Sequence, residues 1–239
     1  MKRLFLVFCF CTAIFAGARG QEKSEKINLS MDVASNFIWR GLAVNTTPVM
    51  QSTVAFLPES RFSFGVWASA PFSADGGAQP CGMNLFFNVQ LSRFLTLNVT
   101  DYFVYGSGSA DYFNLKKDET GHFFDVKLIF DSEDFPLKAM VTPIFAGSDL
   151  NDKGKNNFST YIELAYKKSG KHVNWGIFTG AVPMASDMYG IDGANVVNVG
   201  FNVSKSFQIN PNWSMPLWMK FSVNPAGRTA YLTAGISLF

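Results

Sequence analysis

Charged residues are scarce in this chain: they make up 16% of its 239 residues, whereas 48% are hydrophobic. An ordinary soluble domain is about 25% charged, so the composition is unlike that of a typical cytosolic enzyme. The 20 basic and 18 acidic residues nearly cancel, which gives no support for a nucleic-acid partner. Aromatic residues reach 15% of the chain, and a chain with so much apolar surface is not intrinsically disordered.

Cysteine is nearly absent, and two of the three cysteines lie in a segment that we predict to be removed. Two basic residues precede an apolar run over residues 4–17, and small residues follow it. This arrangement is typical of a secretory signal peptide. We therefore predict a cleaved signal peptide over residues 1–20 and a single domain over residues 21–239. Cys81 then has no partner for an intramolecular disulfide or a zinc site.

Long apolar runs are also absent after residue 20, so no segment matches the roughly 20 residues of a membrane-spanning helix. The recurring pattern is an alternation of apolar and polar residues, which predicts strands with two different faces. In residues 197–204, for example, four large apolar side chains alternate with small or polar residues. About twelve such segments are predicted, near residues 27–40, 48–57, 61–70, 82–92, 94–105, 121–130, 136–146, 158–167, 172–182, 195–204, 213–223 and 228–239.

The connections between these segments alternate between short and long. An antiparallel meander with short turns on one side and longer polar loops on the other is typical of an outer-membrane β-barrel. Two connections depart from this rule, because residues 205–212 are long for a turn and residues 224–227 are short for a loop.

A soluble β-sandwich would show the same alternation, so the polar face has to decide between the two architectures. That face carries mainly Asn, Gln, Ser, Thr and Gly, whereas a solvated surface would carry many more Lys and Glu. A closed barrel also satisfies every backbone hydrogen bond within lipid. We predict an all-β fold, an antiparallel transmembrane β-barrel of about 12 strands in the bacterial outer membrane, with outer-membrane lipid around it.

The last predicted strand closes on Phe239, which resembles the signal by which bacterial barrel-assembly machinery recognises its substrates. That machinery is therefore an expected partner. The large aliphatic residues Leu232, Ile236 and Leu238 lie on the face opposite Phe239, so the facing of this strand stays open. Four aromatic residues fall near predicted strand ends, where aromatic girdles occur: Trp39, Tyr102, Tyr105 and Tyr166.

No catalytic, metal or cofactor site is predicted. His122 and His172 are expected at opposite ends of the barrel, and neither has a Ser or Cys at a spacing that would place a nucleophile beside a base. The loop residues Asp149, Asn151 and Asp152 are interpreted as turn formers rather than calcium ligands.

The candidate functional residues are the polar side chains predicted to face the lumen. Both charge signs occur among them, so they favour neither anions nor cations. A barrel of about twelve strands lies between side-chain-filled eight-stranded barrels and open sixteen-stranded porins. An open pore and a lumen plugged by paired charges are therefore both retained as hypotheses. The set comprises Asp32, Asn36, Arg40, Arg61, Asn98, Asp125, Lys127, Lys138, Glu163, Asn198, Asn202 and Lys220.

Residues 33–42 read Val-Ala-Ser-Asn-Phe-Ile-Trp-Arg-Gly-Leu, and Gln51 and the residues 64–69, Phe-Gly-Val-Trp-Ala-Ser, follow. Together they resemble the opening of the TorF-family porins, also named the Gcw_chp outer-membrane protein family. The resemblance implies an outer-membrane β-barrel with a channel role.

Within this shared stretch, alternation along an extended strand predicts the facing of each residue. Phe37 and Trp39 would face lipid at the outer interface, Asn36 and Arg40 would point into the lumen, and Gly41 would open the turn. The leading functional hypothesis is a passive channel for small solutes of unidentified chemistry. An occluded structural or adhesive barrel is the alternative, and a barrel enzyme is the least favoured.

Overall fold

A computed structural model describes residues 26–56, 61–72, 81–105, 111–132, 134–211 and 213–238. Twelve strands form one closed antiparallel barrel, and two further strands, β2 and β3, form a separate hairpin. No helix in these ranges is long and apolar enough to cross a membrane. The strands are β1 (Ile27–Ala34), β2 (Phe37–Trp39), β3 (Leu42–Asn45), β4 (Val49–Phe56), β5 (Phe62–Pro71), β6 (Cys81–Ser92), β7 (Leu95–Tyr105), β8 (His122–Asp131), β9 (Leu137–Gly147), β10 (Thr160–Lys168), β11 (Asn174–Val182), β12 (Asn195–Asn210), β13 (Trp213–Asn224) and β14 (Thr229–Ser237).

The predicted all-β antiparallel barrel of about twelve strands is confirmed. From β4 to β14 each barrel strand pairs with the strand that follows it, and β1 pairs with both β4 and β14 to close the wall. The predicted turn over residues 205–212 is wrong, because β12 continues to Asn210 and pairs with β13 as far as Trp213. The apolar–polar alternation of the strand also continues through Phe207 and Ile209.

The barrel has two different ends. The end with the short connections, residues 57–61, 93–94, 132–136, 169–173 and 211–212, also holds the start of β1 and the end of β14. We call it the turn end. The opposite end carries the connections over residues 35–48, 72–80, 106–121, 148–159, 183–194 and 225–228, and we call it the loop end.

The outer wall of the barrel is an apolar belt. Every barrel strand places at least one large apolar side chain on this wall with more than a third of its surface exposed. A contiguous exposed apolar surface of this extent is rare on soluble monomers. The belt includes Ile27, Val54, Phe64, Phe87, Val99, Leu128, Val141, Leu164, Ile177, Phe201, Met219 and Leu232.

The facing of β14, which the sequence left open, follows from its pairing. Leu232 is directly opposite Phe221, and Ile236 is opposite Leu217, so the aliphatic residues of β14 continue the belt. Phe239 lies outside the described residues, as does the predicted signal peptide over residues 1–20.

The first predicted strand, residues 27–40, is wrong beyond Ala34. β1 ends there, and all eight of its residues pair with β4, from Ile27 opposite Phe56 to Ala34 opposite Val49. Residues 35–48 are therefore an insertion between two strands that are already neighbours. This insertion contains β2 and β3 and folds into the barrel at the loop end.

Candidate functional site

The inserted hairpin, β2 and β3 with their connecting turn, has a two-residue turn at Arg40 and Gly41. Both residues have positive φ, 49° and 84°, as a type I′ turn requires. Such a conformation costs roughly 1–2 kcal/mol for a residue with a Cβ atom, so the surrounding contacts must hold Arg40 in place. The hairpin register places Trp39 opposite Leu42 across this turn.

Trp39 fills the lumen at the loop end. Its ring makes edge contacts with Tyr102 and Phe123, both at 5.8 Å between centroids, and stacks on Tyr189 at 6.2 Å. Phe37 contacts Trp67 of β5 at 5.2 Å. The predicted lipid-facing positions of Phe37 and Trp39 are therefore wrong, and Tyr102 does not belong to an outer girdle.

The aromatic contacts join two apolar clusters into one plug across the lumen. One cluster is built on Tyr161, Val182, Tyr189, Ile191 and Val197, the other on Tyr102, Phe123 and Ile144, and Trp39 packs against both. Tyr189 and Ile191 come from the loop between β11 and β12, so a second segment helps to close this end. Burial raises the pKa of the Tyr189 hydroxyl to about 12.

Arg40 anchors the tip of the hairpin to the barrel wall. Its Nη2 atom donates to Asp125 Oδ2 at 2.8 Å, and both side chains are buried. The guanidinium also lies 4.4 Å from the Trp39 ring centroid and 5.4 Å from that of Tyr161. A buried guanidinium requires such partners because arginine remains charged in proteins.

Asp125 links this anchor to the polar lumen. Its Oδ2 accepts from Thr142 at 2.9 Å, and its Oδ1 accepts from Lys127 Nζ at 2.8 Å. Lys127 also donates to Asn98 Oδ1 at 2.7 Å. Four of the predicted lumen residues, Arg40, Asn98, Asp125 and Lys127, thus form one network on the wall made by β7 and β8.

A second polar group lines the wall of β10, β12 and β13. Tyr161 donates from its hydroxyl to Glu163 at 2.6 Å and accepts from the Asn198 amide at 2.9 Å. Lys220 lies directly opposite Asn202 in the register and places its ammonium 4.7 Å from the Phe178 ring centroid. Asn198 lies beneath the hairpin turn, whereas Asn202 is exposed farther toward the turn end.

The remaining predicted lumen residues are spread over the barrel. Lys138 pairs with Asp131 at 3.4 Å, and Lys167 contacts the same carboxylate near the turn end. Asp32 lies on β1 opposite Gln51, and Arg61 is exposed just before β5. Asn36 lies at the start of the insertion, where its amide donates to Leu232 O and accepts from Thr233.

Asn36 extends the seam between β1 and β14, which has three residue pairs. Its side chain provides a donor and an acceptor to β14 beyond the last pair, at Ala34 and Gly235. This contact ties the base of the insertion to the wall.

Several buried polar atoms around the docked hairpin have no hydrogen bond to the described residues, among them Arg40 Nη1, Asn45 Nδ2 and Asn198 Oδ1. An unsatisfied buried polar atom costs about 1–3 kcal/mol, which water would recover if the hairpin left the lumen. The contacts of Arg40 and Trp39 therefore stabilise the docked state, whereas the unsatisfied polar atoms destabilise it.

Replacing Gly41 with alanine is expected to dislodge the hairpin. A Cβ atom at this position would lie 2.0 Å from the backbone oxygen of Val197, and φ is +84°. The conformational cost alone predicts a roughly 10-fold faster tryptic cleavage after Arg40, which is shielded when docked. Gly154→Ala is the matched control, because Gly154 also has positive φ but has no atom within 4 Å of its Cβ position. Equal cleavage in the two variants would contradict the docking geometry.

The two histidines, His122 and His172, lie outside the lumen and at opposite ends of the barrel. His122 faces the outer wall, where Nδ1 lies 2.7 Å from Asp101 and Nε2 lies 2.6 Å from Tyr112 O. Both ring nitrogens are therefore engaged, and neither is positioned to accept a proton from a nucleophile. His172 lies in an exposed turn at the other end. Within the described ranges no group of three or more His, Cys, Asp or Glu residues is arranged to hold a metal ion.

The barrel is similar to solved structures of other proteins. A solved structure titled KdgM porin is similar to 87% of this chain and 97% of its own, with a TM-score of 0.47 and 9% sequence identity. No protein-family model matches the chain, and no curated protein matches it. At this level of similarity the barrel is established by its own strand pairing. The resemblance of residues 33–42 to the TorF family stays a prediction.

Proposed function

We propose that the protein is a passive channel of the bacterial outer membrane for small polar solutes, and that the inserted hairpin closes its lumen. The apolar belt supports the membrane location, because every barrel strand contributes exposed apolar side chains to it. The polar groups on the inner wall support a water-filled path toward the turn end.

One observation carries the channel proposal: the hairpin is an insertion that the wall does not need. β1 and β4 pair over their whole common length, so residues 37–45 can leave the lumen without opening the wall. The docked hairpin is held by side-chain contacts, chiefly those of Trp39 and Arg40. Displacement would therefore open the loop end of a barrel that stays intact.

A permanently occluded structural barrel is the second candidate, and the buried pair of Arg40 and Asp125 favours it. Removing one partner of such a pair typically costs about 3–5 kcal/mol, so a hairpin held by this pair would rarely leave the lumen. The two candidates differ in whether solutes cross the lumen.

Solute flux into liposomes distinguishes these candidates. Purified protein with Arg40→Ala, which weakens the docked hairpin, should swell faster in a small neutral sugar than the intact protein does. On this background a bulky charged thiol reagent on Asn202→Cys should slow the swelling, because Asn202 lies in the lumen. The same reagent on Phe201→Cys should have no effect, because Phe201 belongs to the belt. Both variants are made with Cys81→Ser. Absence of swelling in every variant would overturn the channel and support the occluded barrel.

A further inference from the structure

The described part of the loop between β7 and β8, residues 111–121, lies against the outer wall of the barrel. The register of these strands places Thr100 opposite Asp125, which faces the lumen. The pair of Phe103 and His122 lies three residues farther along and therefore faces outward. Tyr112 of the loop covers this pair, with its ring 5.1 Å from Phe103 and 4.8 Å from His122. The loop segment over residues 111–119 therefore lies against the outside of the wall.

Beneath the loop lies a polar pair that would otherwise interrupt the apolar belt. Asp101 and His122 both face outward, 2.7 Å apart, and His122 is almost completely buried. Nδ1 of His122 lies beside Asp101 and Nε2 lies 2.6 Å from Tyr112 O, so both ring nitrogens have a polar partner. Polar and ionisable groups on a lipid-facing wall are costly unless they are covered. Tyr112 supplies that cover, and burial together with Asp101 raises the pKa of its hydroxyl.

The outer side of the same loop is apolar. Phe113 is 87% exposed and Leu115 is 65% exposed, the largest exposures among the large apolar side chains described. Phe113 is held in a turn by its backbone N–H, which donates to Asp111 at 2.9 Å. Asp111, Lys116, Lys117, Asp118 and Glu119 surround this apolar pair with both charge signs, so net charge does not favour an oppositely charged partner.

We infer that residues 111–119 form a membrane anchor, in which Phe113 and Leu115 enter the outer leaflet while Tyr112 seals the Asp101–His122 pair from lipid. We choose lipid as the partner because the loop segment that carries Phe113 and Leu115 adjoins the apolar belt of β7 and β8. Phe113 and Leu115 restore an apolar surface where the wall beneath is polar. Aromatic and aliphatic side chains at this level of a barrel are stable at the membrane interface. The inference rests on the proposed membrane location.

Depth-dependent quenching tests this anchor. An environment-sensitive fluorophore is attached to Phe113→Cys with Cys81→Ser, and the protein is inserted into phosphatidylcholine vesicles that carry a quencher near the headgroup or deep in the chains. Phe201→Cys in the belt and Lys153→Cys on an exposed loop are the controls. The Phe113 probe should shift to shorter wavelength and lose most of its emission to the shallow quencher. Tyr112→Ala should return it to the behaviour of Lys153.

The controls separate the two ways in which the inference can fail. If the Phe201 probe is quenched and the Phe113 probe behaves like the Lys153 probe, the anchor is wrong and the membrane barrel stands. If neither Phe201 nor Phe113 is quenched, the membrane location is wrong as well. A Phe113 probe that is shielded only in the presence of a second protein would also overturn the lipid assignment.

Discussion

Arg40→Ala is expected to raise the fraction of open channels by about 100-fold, because it removes a buried partner of Asp125 at a cost to the docked state near the lower end of the roughly 3–5 kcal/mol typical of such pairs. The variant also removes the contacts of the guanidinium with Trp39 and Tyr161. Lys127 still neutralises Asp125 on the wall, so the barrel itself should remain folded. Single-channel recording at fixed voltage measures the open fraction directly.

Two further variants make this result specific to the anchor. Arg61→Ala removes the same charge from an exposed position before β5 and should leave the open fraction unchanged. Arg40→Lys retains the charge but loses the planar fork of the guanidinium, so an intermediate value is expected. An Arg40→Ala channel with the open fraction of the intact protein would show that Arg40 does not hold the hairpin.

Phe201→Arg should destabilise the inserted barrel by about 2–4 kcal/mol, because it places a charge on the lipid-facing side near the middle of the wall. Phe201 is 42% exposed and is paired with Ile177 and Phe221, which also belong to the outer wall. The unfolding free energy of the protein in liposomes measures this cost.

Asn202→Arg is the matched control, because the neighbouring residue of the same strand faces the other way. Asn202 lies opposite Lys220 on the lumen side, at the same level of the wall as Phe201, where an added charge meets water. Its cost should be much smaller, with a modest contribution from repulsion by Lys220. Equal losses, or a larger loss for Asn202→Arg, would mean that the assignment of the two faces of β12 is inverted.

The barrel strands were predictable because each carries its own two-residue period. In β12 the residues Val199, Phe201 and Val203 alternate with Gly200, Asn202 and Ser204, and no distant contact is needed to see this pattern. Residues 205–210 were missed as strand because Lys205, Ser206 and Gln208 make the segment polar, although the alternation continues.

The hairpin was not predictable from alternation. Phe37 and Trp39 continue the odd-numbered apolar positions of β1, and only Ser35 interrupts this period over residues 27–39, which therefore suits a single long strand. The fold reverses direction instead, and the fate of Trp39 depends on Tyr102, Phe123 and Tyr189, which are distant in sequence. The local signal was the Arg40–Gly41 pair between two short apolar segments, which is compatible with a two-residue hairpin turn.

The sequence pattern predicted several residues of the lumen network but not the hydrogen bonds between them. The alternation of β7 and β8 selected Asn98, Asp125 and Lys127 as inward residues, and they form one network. Tyr161 and Thr142 were missed because a buried hydroxyl beside a carboxylate has no sequence signature. Asp131 and Lys167 were missed because they lie at strand ends, where the period gives little information.

The most direct test of the account is the single-channel conductance of a chain in which residues 37–45 are replaced by a short Gly-Ser linker. Because β1 and β4 pair without the hairpin, this chain should fold and should show steady open channels, whereas the intact protein should be closed most of the time. Replacing the exposed residues 152–155 of the loop between β9 and β10 by a Gly-Ser linker provides the control and should leave the protein closed. A folded, hairpin-free barrel that never conducts would contradict the claim that this hairpin closes a polar channel.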